Sequence, residues 1–128
     1  MKQLTEENFD LCQQYLNMIS EMEEGFEYVI ASFTDFSKTE GDLVLSEIFR
    51  SLNRIAHTNL LFEQLFSDDE SLQQAITNFS DVADAAFMLD GNFDDYGRKM
   101  NVINEYLYPA FSAWRNTVQS ALVQYVMQ

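Results

Sequence analysis

A chain of 128 residues with 47% apolar content has the length of one domain and enough apolar material for a core, which excludes a disordered segment. Its 21 Asp and Glu against 7 Lys and Arg leave a net charge of −14, which disfavours direct contact with nucleic acid and with anionic membrane. The single Cys excludes an internal disulfide, and no apolar run approaches the roughly 18–20 residues of a membrane span.

The opening stretch, Met1-Lys2-Gln3-Leu4-Thr5-Glu6-Glu7, has no apolar leader region. A single cytoplasmic domain over 1–128 is expected. Thr5 is a good N-cap, and Glu6 and Glu7 suit the first turn of a helix. Cys12, Tyr15, Ile19, Met22, Phe26, Val29 and Phe33 then follow at alternating spacings of three and four, the seam of a bundle helix. This helix should end between Asp35 and Glu40, before Gly41. The rhythm returns in a second helix at Leu45, Ile48, Leu52, Ile55, Asn59, Phe62 and Phe66. Asn59 is a polar residue on that seam, a device that can fix register. Leu60, Leu61 and Leu65 make the end of this helix apolar on several faces, and it is expected to be buried there.

Ser67 with Glu70 three residues on reads as a capping box opening a third helix. Its seam is Leu72, Ala75, Phe79, Val82, Ala86 and Leu89, and Ala75, Ala83, Ala85 and Ala86 would allow close helix approach. A loop follows from Asp90 to Gly97. The last helical segment starts near Asp95 and carries Met100, Ile103, Leu107, Phe111, Trp114, Val118, Ala121 and Tyr125 on one face. Pro109 inside it removes a backbone donor and clashes with the carbonyl of Glu105, so this segment is kinked, or split near Tyr108. With no alternating pattern anywhere, the expectation is an all-α antiparallel four-helix bundle. Residues 96–128 have a net charge of +2, against −7 for 1–40 and −9 for 41–95. The last segment is therefore expected to lie against the acidic ones, or to present a different surface to a partner.

Five groups of residues are candidates for function. Glu23-Glu24-Gly25-Phe26-Glu27 reads E-E-x-x-E. It resembles the first half of the metal site of all-helical nucleotide pyrophosphatases of the MazG and dimeric dUTPase type. The resemblance implies Mg²⁺ held by carboxylates at helical spacing for phosphate chemistry. The matching E-x-x-D one helix later is missing: Glu47 is followed by Arg50, and Asp81 and Asp84 have the spacing but lie in the third helix. Off the seam, these glutamates form with Glu21 an acidic face suited to a basic protein. Asp90, Asn92 and Asp94 open like a calcium loop, but Asp95 and Asn101 replace its diagnostic Gly and Glu, which leaves turn and capping chemistry. His57, the only histidine, aligns with Arg50 and Arg54 in a short basic stripe and cannot build a di-iron or zinc site alone. Cys12 sits on the seam as a buried small hydrophobe. Tyr106, Tyr108, Phe111 and Trp114, with Phe93 and Tyr96 upstream, are too many aromatics for one helix face, and form a candidate interaction patch.

No Gly-rich phosphate loop and no nucleophile set is present. The expected function is a non-catalytic acidic protein–protein interaction module: an adaptor, a chaperone, or an antagonist of a basic protein. It would carry no metal or cofactor, and could form a homodimer. The alternative is a Mg²⁺-dependent nucleotide pyrophosphohydrolase.

Overall fold

The computed structural model describes residues 4–127. The first three residues, part of the stretch read as lacking a leader, lie outside the described residues, as does residue 128. The chain forms α1 (Glu6–Ser32), α2 (Gly41–Leu65), α3 (Glu70–Phe87), α4 (Tyr96–Val102), a π-helical segment (Ile103–Leu107) and α5 (Tyr108–Val126). The last three elements are continuous and make the fourth rod of an antiparallel four-helix bundle. Around the bundle α1 packs on α2 and α5, and α3 packs on α5 and α2.

Thr5 caps α1, its Oγ1 accepting from the Asn8 N–H at 3.1 Å. All seven predicted seam residues of α1 are buried. Burial raises the Cys12 thiol to about 11 and pushes the Tyr15 phenol upward as well, with a smaller contribution from the neighbouring Cys12. The Tyr15 hydroxyl donates to Asn59 Oδ1 at 2.7 Å, which satisfies the polar residue on the α2 seam. Gly41 begins α2 against the end of α1. A Cβ there would stand 2.6 Å from Ser32 Oγ, so a larger residue would require the Ser32 side chain to shift from its bond to the Val29 carbonyl.

Four expectations are corrected. Leu60 and Leu61 are more than half exposed: the α2 core points to one side of the helix, and these two fall off it. Asp69, not Ser67, caps α3. Its backbone is extended and its side chain accepts from the Leu72 N–H, while Glu70 is already inside the helix. The α3 seam ends through Ala85 rather than Ala86, as a straight helix drifts about 20° per heptad against a strict seven-residue repeat. Finally, Ala83 and Ala86 do not draw α3 onto a neighbour; they border an open groove.

The proline is accommodated by the π-helical segment. The Tyr108 N–H bonds to the Ile103 carbonyl, one residue further back than in an α-helix. The wider turn releases the Glu105 carbonyl from its clash with the ring, and Pro109 falls in the first turn of α5, where no N–H is required. The basic last segment lies against acidic ones. Lys99, buried, places Nζ 2.6 Å from Asp42 and 5.1 Å from the centre of the Phe93 ring.

Candidate functional site

The predicted acidic face loses Glu23 and keeps Glu21, Glu24 and Glu27 exposed. At about 100° per residue, Glu21 and Glu23 stand about 160° apart on α1. Glu21 is exposed beside α2, bordering a small crevice with Val44, Glu47 and Ile48. Glu23 turns to α5 and is drawn into the fold. Its Oε1 accepts from the Tyr108 hydroxyl at 2.7 Å, and its Oε2 stands 3.5 Å from Arg115 Nη1. Glu24 points straight to solvent, and Glu27 is exposed. The bond to Glu23 raises the Tyr108 phenol, and the nearby Glu27 adds to the shift. The four carboxylates therefore do not converge, and they do not fit the Mg²⁺ cluster that the pyrophosphatase resemblance implies. Among the described residues no group of three His, Cys, Asp or Glu is placed to hold a metal ion.

The aromatic patch also divides. Phe111 and Trp114 are core residues and cannot meet a partner. Phe111 packs on Phe26 with ring centres 4.9 Å apart, and Trp114 packs edge-on to Phe79 at 4.9 Å. Tyr108 is half-buried against Phe26 and Glu23. Tyr106 alone of the four is exposed. The reason is periodicity: Phe111 and Trp114 continue the buried seam, whereas Tyr106 lies between its residues Ile103 and Leu107.

The loop at 90–95 is built by turn chemistry. Gly91 has φ +77°, the Asn92 amide donates to the Met88 carbonyl, and Asp95 caps α4 by accepting from the Arg98 N–H. Arg50, Arg54 and His57 are all exposed on α2, as their spacing predicts.

An apolar opening lies elsewhere, between α2 and α3. It is a groove of ≈ 450 Å³ with Phe49, Leu52 and Ala56 on the α2 side and Phe79, Ala83, Ala86 and Phe87 on the α3 side. Leu52, Phe79 and Leu89 form its buried floor. The loop after α3 closes one end through Phe93, whose ring centre is 6.1 Å from that of Phe49. Phe87 stands at the lip with 75% of its surface exposed. The geometry is set by side-chain size. Alanines on both walls leave the space that larger residues fill elsewhere in the bundle. Sequence reasoning missed this site because it treated the alanines as packing residues. The available signal was Phe87, a large apolar residue off the α3 seam and beside them.

Across the groove the two helices differ in charge. Arg50, Arg54 and His57 lie on the outer surface of α2, and Asp81 and Asp84 on that of α3. Among the described residues none of these five forms an ion pair. No helix among the described residues is long and apolar enough to cross a membrane.

Residues 10–117 match a protein family described as a domain of unknown function, DUF8042, and the chain belongs to that family. No curated protein and no solved structure matches it.

Proposed function

We propose that this member of the DUF8042 family is a non-catalytic protein-interaction module, and that its α2–α3 groove receives an apolar surface of another protein chain. One observation carries the reading: an open, alanine-walled apolar groove with a largely exposed phenylalanine at its lip. Covering such a surface returns roughly 25 cal/mol per Å² of apolar area removed from water. Phe87 extends the apolar lining of the groove out to the surface, and a contiguous exposed apolar patch is the mark of an interaction site.

The acidic face supports a basic partner less well, because Glu23 is engaged by Tyr108 and Arg115 and only Glu21, Glu24 and Glu27 remain exposed on it. No observation favours the pyrophosphohydrolase alternative over this reading.

The test is site-specific photo-crosslinking in the native host. A benzophenone amino acid is placed at Asn53, on the groove, and in a control at Ser120, exposed on α5. The expected result is a discrete protein adduct from position 53 and none from position 120. Position 53 giving no adduct above the control overturns the reading.

A further inference from the structure

The charge pattern beside the groove narrows its occupant, on the premise that the groove is an interaction site. The four-residue connection 66–69 fixes how α2 and α3 align. Counting back along both helices from that turn brings Arg54 level with Asp81, and brings Arg50 level with Asp84 and Phe49 level with Phe87 to within one residue. One helix is thus basic on its outer surface where the other is acidic; none of the four charged residues lines the groove itself, and no pair closes between them among the described residues.

We infer that the groove is the interface of a homodimer, its occupant a second copy of this chain. A two-fold axis running along the groove sets α2 of one copy on α3 of the other, antiparallel. It carries Arg50 and Arg54 of each copy toward Asp84 and Asp81 of the other, and Phe87 of each toward the other's Phe49. Such a face is self-complementary, as an isologous interface requires. A foreign partner would need both an acidic and a basic edge at the matching spacing. The second copy has them by construction. The pairing also gives Arg50 and Arg54 a local role on a chain whose overall charge of −14 opposes self-association.

Sedimentation equilibrium of the full chain tests this with a charge swap. The wild type is expected at twice the chain mass. R50E/R54E sets acid against acid across the interface, and D81K/D84K sets base against base. Because like charges brought together across an interface cost several kcal/mol, each variant alone should dimerise at least about tenfold more weakly. An equimolar mixture restores both edges and should return to dimer. All four positions are exposed, and circular dichroism checks that each variant is folded; the single changes R50E and D84K repeat the test should a double variant fail to fold. A wild-type monomer at hundreds of micromolar, variants that dimerise unimpaired, or a mixture that stays monomeric each overturn the inference. The crosslinker at Asn53 separates the two proposals. A self-adduct supports both. A different protein captured by a monomeric chain overturns the second copy alone, and no adduct overturns both.

Discussion

The α1–α5 seam and the α2–α3 seam are built from the same helical periodicity and differ in what fills them. Between α1 and α5, Phe26 meets Tyr108 and Phe111, Tyr15 meets Trp114, and Glu23 binds Tyr108 and faces Arg115. Rings occupy the space and polar tips close the edge. Between α2 and α3, alanines stand where the rings would be, and Phe87 is left at the lip. The first seam is finished within one chain. The second is left open within one chain, and on the proposed reading something outside it completes the packing. If that is correct, substitutions should divide accordingly: those in the closed seams should lower stability, and those in the open one should change association.

The largest effect belongs to the closed seam. Phe111→Ala removes a fully buried ring between Phe26 and Trp114. The expected cost is about 3–5 kcal/mol, from lost transfer free energy and the cavity left behind, read by urea denaturation. A loss under about 1 kcal/mol would mean that this seam is loosely packed, and the contrast between the seams would fall.

The α1–α2 seam tests a polar tie in a closed interface. Asn59→Ala leaves the Tyr15 hydroxyl, bonded at 2.7 Å in the native chain, buried without its acceptor. Leaving one such donor unpaired costs about 1–3 kcal/mol. Tyr15→Phe in the same background removes the stranded hydroxyl and should recover part of that loss. A double variant no more stable than Asn59→Ala would place the cost in lost packing instead.

The fold was legible because the seams of α1, α2 and α5 are large residues at regular spacing, and such residues have one place to go. The cap at Thr5 and the break at Pro109 were equally plain, since both follow from local backbone chemistry. Errors arose where a residue type allows two outcomes. Alanine permits close packing or leaves a gap, and nothing local to Ala83 or Ala86 decides which. Glu23 follows the same logic: its neighbours Glu21 and Glu24 remain exposed, and only Tyr108 and Arg115, 85 residues or more along the chain, draw it inward. The alignment of Arg50 with Asp84 was likewise hidden, because it requires the length of the turn at 66–69 and the order of the helices around the bundle.

The smallest effect on stability, and the most discriminating, is expected in the open seam. Ala83 is exposed on the wall of the groove, and leucine is nearly as good a helix former. Ala83→Leu should therefore leave the unfolding free energy of the isolated fold within about 0.5 kcal/mol of wild type while occupying the space a partner would enter. Crosslinking from position 53 and dimer formation should both fall. The opposite result is equally informative. A packing flaw internal to the chain would be repaired by the same leucine, and cavity-filling changes of that kind commonly add about 0.5–2 kcal/mol. A variant that gains stability and associates as before would show that the groove is only an underfilled part of the core. One that keeps its stability and loses association would show that the gap is held open for an occupant.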